Sequence, residues 1–227
     1  MLPAVLALAV GVAPAADARG DAAPPPSFPA AGHLRLATLV ARAAPDPSAA
    51  PVRVFHEFLP DYRPQVILAV GARVGADGEE WLHVELPMRP NGRLGWVPAA
   101  AVDVHPVPLR IVVRRGLRRL ELYRGARRLF VTTVAVGRPG METPLGHFYV
   151  LARFRPDEAF LGSFAFETSA YSKLSEWPGG GIVGIHGTSM PQLLGQAVSH
   201  GCVRLSNAAA LVLKRYVEVG TPIDIIA

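Results

Sequence analysis

The sequence predicts a mostly β fold in two domains, ending in one clear α-helix. Three observations predict it. Short apolar segments alternate with polar positions or stay continuous for only a few residues, glycine and proline separate these segments, and helical periodicity appears only near the C-terminus. Half of the 227 residues are hydrophobic and 18% are charged, a globular composition long enough for one or two domains.

The N-terminus has the composition of an export signal. Residues 1–18 form an apolar run that ends in Ala16-Asp17-Ala18, a small-x-small cleavage site. No Lys or Arg precedes the run, which leaves a truncated start, a membrane anchor or a disordered tail as alternatives. Residues 19–33, rich in Ala and Pro, are predicted to be a linker. The apolar run is too short to span a bilayer and no longer one follows, so the mature chain is expected to be exported without a transmembrane segment.

Residues 34–105 are predicted to be the first domain, a small antiparallel barrel. The predicted strands are Leu34–Arg42, Val66–Val70, Trp81–Leu86 and Leu94–Val97. Asn91-Gly92, before the last of these, is a strong hairpin-turn signal. The arrangement of Trp81, Asn91-Gly92 and Trp96 resembles bacterial SH3-like domains, which implies either binding to cell-wall material or simple packing against the next domain.

Residues 107–227 are predicted to be the second, β-rich domain. Its strands are expected at Arg110–Arg114, Leu117–Tyr123, Arg127–Val136, His147–Phe154 and Pro222–Ile226. Residues 155–185 show no regular period and are expected to be irregular, with their aromatic residues forming a substrate wall or ordinary packing and Trp177 closing the core. Ser206 or Asn207 is expected to cap the one helix, which Gly220 ends.

The net charge of +5 comes almost entirely from arginine, since Lys173 and Lys214 are the only lysines. A basic surface suits nucleic acid, an anionic membrane or an acidic polymer. No basic cluster is interleaved with aromatic residues, so no nucleic-acid partner is predicted.

Cys202 is the only cysteine and therefore forms no internal disulfide. It is either an inert core residue or a reagent, and a thiol retained in an exported protein favours the reagent. A thiol of ordinary pKa near 8.5 needs a base, and the imidazole of His186 or His200 is the nearest in sequence. We therefore predict Cys202 as nucleophile, with one of these two histidines as its general base.

Backbone groups are expected to complete this site. No Asp or Glu lies near His186 in sequence, so the carbonyl of Gly187 is predicted to orient the imidazole. Backbone N–H groups around Gly201, Cys202 and Val203 are predicted to form the oxyanion hole.

Two further side chains of the motif are assigned to the substrate side. Ser199 is expected to hydrogen-bond within the nucleophile loop. Arg204 is expected to bind a substrate carboxylate or to form a structural salt bridge.

These residues resemble the L,D-transpeptidases, whose catalytic unit is the YkuD-type domain, with a His upstream of Ser/Thr-His-Gly-Cys. The resemblance implies that His186 is the general base and that His200 has a supporting role. Residues 107–227 carry the likeness, including Thr143-Pro-Leu-Gly-His-Phe148. The resemblance implies attack on the third residue, a diamino acid, of a peptidoglycan tetrapeptide stem, release of D-alanine, and a thioester resolved by a neighbouring stem's amine as a 3→3 cross-link. It also implies inhibition by carbapenems and a place for Tyr171 over the cysteine, since relatives carry tyrosines in a flap. No cofactor or metal is expected.

Three alternatives stay open at this stage. Water in place of the amine would make the protein an L,D-carboxypeptidase. His186, His200 and Cys202 are all zinc ligands by type, although metal-site spacing is lacking. The chain could also be a non-catalytic wall-binding module, against which the complete His/Cys set argues.

Overall fold

The computed structural model describes residues 27–176 and 180–227. The predicted signal peptide, most of the linker and Trp177 lie outside the described residues, so these expectations stay predictions. Within the described part, strands dominate and α1 (Asn207–Lys214) is the only α-helix. The mostly β fold class with one C-terminal helix is therefore confirmed.

The N-terminal domain is a seven-stranded sheet in the order β3-β2-β6-β5-β4-β1-β7, and all its neighbouring strands are antiparallel. Its strands are β1 (Ala30–Leu34), β2 (Thr38–Arg42), β3 (Pro51–His56), β4 (Val66–Val74), β5 (Glu80–Glu85), β6 (Leu94–Pro98) and β7 (Val102–Pro106). Residues such as Phe55, Ile67, Leu82 and Val97 form its buried core. The antiparallel architecture of this domain matches the prediction.

The expected linker extends too far. β1 occupies residues 30–34 and pairs with both β4 and β7, so the end of the range 19–33 lies inside the sheet. Its residues are mostly small, and a Cβ at Gly32 would lie 1.8 Å from the Asp103 carbonyl oxygen. A strand without large apolar side chains leaves little hydrophobic alternation in the sequence.

The hairpin predicted at Asn91-Gly92 joins β5 and β6, with Glu85 paired to Leu94. The connection is longer than a two-residue turn, because residues 86–93 form a loop with Gly92 at φ +81°. This loop leaves the N-terminal sheet and reaches the second domain.

The C-terminal domain is built on an eight-stranded sheet in the order β10-β9-β8-β17-β12-β13-β14-β16, with a separate parallel pair β11-β15. Its strands are β8 (Leu109–Arg114), β9 (Arg119–Arg124), β10 (Arg127–Thr133), β11 (Val136–Gly137), β12 (Gly146–Phe154), β13 (Ala165–Tyr171), β14 (Ile182–His186), β15 (Ala197–Ser199), β16 (Val203–Arg204) and β17 (Pro222–Ile226). One continuous core lies between this curled sheet and α1, including Ile111, Phe166 and Leu213. Ser206 caps α1 by accepting a hydrogen bond from the Ala209 N–H at 3.1 Å.

The expectation that residues 155–185 are irregular is wrong. This range contains β13 and most of β14, which pair with each other in the interior of the sheet. β13 is buried on both faces along most of its length, and Glu167, Thr168 and Ser169 interrupt its apolar residues. A strand buried on both faces shows no alternation of apolar and polar residues, so the sequence pattern did not predict β13.

Candidate active site

Two adjacent parallel strands bring the cysteine and the histidine together. β14 and β16 pair with Ile185 opposite Val203 and His186 opposite Arg204. Cys202 directly precedes β16, and its Sγ accepts a hydrogen bond from the Gly184 N–H at 3.3 Å. A Cβ at Gly184 would lie 3.5 Å from the His186 ring and 3.8 Å from the thiol sulfur. The thiol and the imidazole therefore lie on the same side of the sheet, one on each side of Gly184, which has no side chain.

The imidazole of His186 is held by the backbone beside it. Its Nδ1 lies 2.6 Å from the carbonyl oxygen of Gly187. A carbonyl only accepts hydrogen bonds, so Nδ1 carries the proton and Nε2 is left with a lone pair. This is the orienting contact expected of Gly187.

His186 is neutral at physiological pH. Its side chain is buried, and burial is the main cause that lowers the pKa of the imidazole to about 4; the positive charge of Arg204 adds to this lowering, whereas the backbone carbonyls of Gly187 and Leu161 oppose it. A neutral imidazole is the form that accepts a proton.

The thiol of Cys202 is protonated in the resting state. Burial raises its pKa above the ordinary value, while the Gly184 N–H and the charge of Arg204 act in the opposite direction. The resting pair is thus a neutral thiol beside a neutral imidazole. The same Gly184 N–H and Arg204 charge favour the thiolate that develops when the proton leaves.

Ser199 holds the nucleophile loop in shape. Its Oγ donates to the Cys202 carbonyl at 2.6 Å and accepts from the Gly201 N–H at 3.1 Å, and the residue is fully buried. Ser199 therefore acts within the loop and does not reach a substrate. Because Ser199 occupies the N–H of Gly201, the expected role of Gly201 as an oxyanion donor does not fit this geometry.

The backbone around the cysteine leaves one donor in place. Val203 is buried within the β14–β16 ladder, so its backbone belongs to the sheet. Among the described residues, the N–H of Cys202 itself makes no hydrogen bond to another residue. The candidate oxyanion donor is therefore the amide of the nucleophile.

Thr143 supports the loop and has no assigned role in the sequence analysis. Its hydroxyl donates to the Gly201 carbonyl at 2.8 Å and accepts from the Gly137 N–H at 2.9 Å, with the side chain fully buried. The Thr-Pro-Leu-Gly stretch was the available signal. Sequence spacing does not show that it contacts a loop 58 residues further along the chain.

The cysteine and the histidine of the site lie at a cavity of about 380 Å³. Cys202, His186, His200 and Arg204 all line it. Apolar side chains from β12, β13 and the segment before β13 form much of the remaining wall: Phe154, Phe160, Leu161 and Phe166. The cavity combines a nucleophile, a base and a fixed positive charge with an apolar surface.

Arg204 has no carboxylate partner within the described part of the chain. Its Nε is buried there without a hydrogen bond. Of the two expected roles, the structural salt bridge is not present among these residues. Arg204 lines the cavity.

Tyr171 lies away from the cysteine and not over it. Its hydroxyl donates to the Pro87 carbonyl at 3.2 Å, and its backbone contacts Asn91, so it packs against the N-terminal domain. It is not among the residues that line the catalytic cavity. The expectation for Tyr171 is corrected accordingly, and Ser172, the next residue, takes the place at the cavity wall.

Two further observations concern metals and membranes. Among residues 27–176 and 180–227, no group of three or more His, Cys, Asp or Glu side chains is arranged to hold a metal ion. No helix in this part of the chain has the length and apolarity needed to cross a bilayer.

Comparison with known proteins identifies the class. Residues 108–225 match the YkuD family, described as the L,D-transpeptidase catalytic domain. This match covers more than half of the chain, and the chain therefore belongs to the YkuD family of L,D-transpeptidase catalytic domains.

The chain is similar to a curated relative and to solved structures. The YkuD protein of Bacillus subtilis (strain 168) is 32% identical over 123 residues, which cover 54% of this chain and 69% of the relative. A solved L,D-transpeptidase from Mycobacterium smegmatis is 16% identical, with a TM-score of 0.47 over 72% of this chain and 91% of the other. L,D-transpeptidase 3 from Mycobacterium tuberculosis, solved with a faropenem-derived adduct, is 15% identical with a TM-score of 0.47 over 72% and 91%.

Proposed function

We propose that this protein is a peptidoglycan L,D-transpeptidase that forms 3→3 cross-links through an acyl-enzyme on Cys202. The observation that carries the proposal is the placement of a neutral thiol and a neutral, backbone-oriented imidazole on either side of Gly184, at the wall of one cavity. A cysteine beside a positioned base is the arrangement that nucleophilic acyl transfer requires.

In the first half-reaction, Cys202 Sγ attacks the carbonyl carbon of the third stem residue while His186 Nε2 takes the thiol proton. The amide N–H of Cys202 is placed to donate to the oxyanion that forms. The C–N bond then breaks, the proton passes from His186 to the departing amine, and D-alanine leaves. The product is a thioester between Cys202 and the donor stem.

In the second half-reaction, the side-chain amine of a neighbouring stem attacks the thioester. His186 removes a proton from that amine and returns one to the sulfur as the C–S bond breaks. The new amide joins the third residues of two stems, and the thiol is regenerated.

Arg204 supports a substrate that carries carboxylates, since this residue lines the cavity and makes no ion pair with another described residue. A stem peptide supplies such groups. His200 lines the same cavity and supports the site. The same nucleophile is proposed to be acylated by carbapenems, whose strained carbonyl replaces that of the stem.

The remaining assignments complete the proposal. Export to the wall or a periplasm-like space fits a substrate found only there. The seven-stranded antiparallel N-terminal domain is proposed to be SH3-like.

Product analysis tests the function. Purified protein is incubated with a disaccharide-tetrapeptide, with and without an amine acceptor, and the products are separated by mass spectrometry. The proposal predicts D-alanine release and a 3→3 dimer, both lost in Cys202→Ser. Tripeptide alone, even with acceptor in excess, would show an L,D-carboxypeptidase, and identical products from Cys202→Ser would remove the cysteine mechanism.

A further inference from the structure

The loop between β5 and β6, residues 86–93, contacts the C-terminal domain beside the catalytic cavity. The guanidinium of Arg89 donates from Nη1 to the Ser172 carbonyl at 2.6 Å. Its Nη2 donates to the carbonyls of Gly180 at 2.9 Å and Leu174 at 3.3 Å. One side chain of the N-terminal domain thus binds three backbone carbonyls of the C-terminal domain. Two of these carbonyls follow β13, and the third precedes β14.

Asn91 binds the adjacent residue in both directions. Its Oδ1 accepts from the Tyr171 N–H at 3.0 Å, and its Nδ2 donates to the Tyr171 carbonyl at 2.8 Å. The guanidinium of Arg89 lies 5.1 Å from the centre of the Tyr171 ring. Asn91 therefore continues the hydrogen bonding of β13 at the end of that strand, and Arg89 holds the residues that follow.

The segment held in this way forms part of the catalytic cavity. Ser172, Leu174 and Gly181 line it, and the Ser172 N–H donates to the Gly181 carbonyl at 2.8 Å. We call the segment that carries them, residues 171–174 with 180–181, the cavity wall; its first residue, Tyr171, anchors the segment and does not itself line the cavity. A Cβ at Gly181 would lie 1.7 Å from the Leu174 carbonyl oxygen and 2.7 Å from Arg89 Nη2, so the two sides of the wall and the guanidinium meet closely.

The cavity wall also touches the nucleophile loop. A Cβ at Gly201 would lie 2.8 Å from the Ser172 Cβ, and Gly201 has a φ of +125°. Gly201 directly precedes Cys202. A displacement of Ser172 would therefore change the space beside the nucleophile as well as the shape of the cavity.

Docking of the two domains does not depend on this contact alone. The hydroxyl of Tyr149 lies 3.3 Å from the Val66 carbonyl, Arg63 lies 3.4 Å from Glu167, and Gly220 packs closely on Ala31. The domains are thus joined at several other places. Arg89 and Asn91 differ from these contacts because they hold the cavity wall directly.

We propose that Arg89 and Asn91 are positioning residues of the transpeptidase site, supplied by the N-terminal domain. They hold the cavity wall against the nucleophile loop, so that a stem peptide meets Cys202 in a productive orientation. The inference rests on the proposed function for its kinetic part. Since a misplacement of about 1 Å can lower a rate by as much as about a hundredfold, we expect a substantial loss when the contact is removed.

The test compares Arg89→Ala, Arg89→Lys and Asn91→Ala with Arg93→Ala in the full chain. Arg93 is the matched control, because it lies on the same loop with an exposed side chain that makes no hydrogen bond or ion pair with another described residue. Arg89→Ala is expected to lower kcat/KM for the tetrapeptide by roughly tenfold or more. Arg89→Lys is expected to recover little, because one ammonium does not replace the planar fork that reaches three carbonyls. Arg93→Ala is expected to match the wild type.

Hydrogen exchange provides a readout that does not depend on turnover. Peptides covering residues 171–176 are expected to exchange faster in Arg89→Ala and Asn91→Ala and unchanged in Arg93→Ala. If the wild type lacked transpeptidase activity, the exchange result would still report on the contact. A failure of the proposed function is therefore distinguishable from a failure of the positioning inference. If Arg89→Ala is folded and has the kcat/KM and the hydrogen exchange of the wild type, the inference is overturned. If Arg89→Ala does not fold, the same result in Asn91→Ala overturns it.

Discussion

The protonation state of His186 predicts an unusual pH dependence for acylation. Burial holds the pKa of this imidazole at about 4, so the base stays neutral well below the pH at which an ordinary histidine is protonated. At pH 5.5 an imidazole with a pKa of about 4 is about 97% neutral, whereas one with the ordinary value near 6.5 is about 9% neutral. Lowering the pH from 7.5 to 5.5 is therefore expected to leave the acylation rate nearly unchanged.

The assay follows acylation of the purified protein by a carbapenem in single-turnover mode from pH 5 to pH 9.5. The acid limb is expected near pH 4, outside the range. Direct formation of the thiolate is expected to raise the rate only toward the alkaline end of this range, because burial raises the pKa of the Cys202 thiol. Circular dichroism at each pH is the control for folding.

The same shift limits how far the pH can be lowered. The folded pKa of His186 is below the unfolded value, so the unfolded state binds the proton first as the pH falls. The resulting loss of stability begins near pH 6.5 and reaches up to about 3 kcal/mol near pH 4. A roughly tenfold drop in acylation between pH 7.5 and 5.5, in protein that stays folded, would refute the buried neutral base.

Two further substitutions test the surroundings of the site. Thr143→Val removes the hydroxyl that joins Gly201 to Gly137 and leaves their buried backbone groups unpaired. The substitution is therefore expected to lower the free energy of unfolding, measured in urea, by about 2–4 kcal/mol and to slow acylation. An unchanged unfolding free energy and an unchanged acylation rate would refute the role of Thr143 in supporting the loop. Glu85, buried at the domain junction, has a pKa raised to about 7 by burial and by Asp224, while His147 opposes the shift. A raised carboxyl pKa makes stability fall as the pH rises from about 4.5 to 7, so Glu85→Gln is expected to stabilise by up to about 3 kcal/mol at pH 8 and little at pH 4.5. An equal effect at both pH values, measured by thermal unfolding, would contradict that sign.

Local patterns in the sequence were enough to predict the centre of the site. Cys202 and its neighbours lie in one short motif, and His186 lies close in sequence on the strand that pairs beside it. The capped helix after Ser206 has a local signal as well. These features need few long-range contacts, so residue type and spacing predict them well.

The features that were missed depend on partners far away in sequence. Tyr171 has a polar hydroxyl and precedes the catalytic motif in sequence. Its partners Pro87 and Asn91 belong to the other domain, and nothing in the local sequence pattern indicates them. β13 is buried on both faces and therefore lacks alternation. The N–H of Gly201 is taken by the hydroxyl of Ser199, a competition that only the folded loop reveals.

Intact-mass measurement after incubation with a carbapenem tests the central claim most directly, since it detects a covalent bond to the sulfur of Cys202. The account predicts that the wild type gains the mass of one carbapenem, that Cys202→Ala gains none, and that His186→Gln gains it far more slowly. An equal adduct on Cys202→Ala, or an unmodified wild type that is fully folded, would contradict the account.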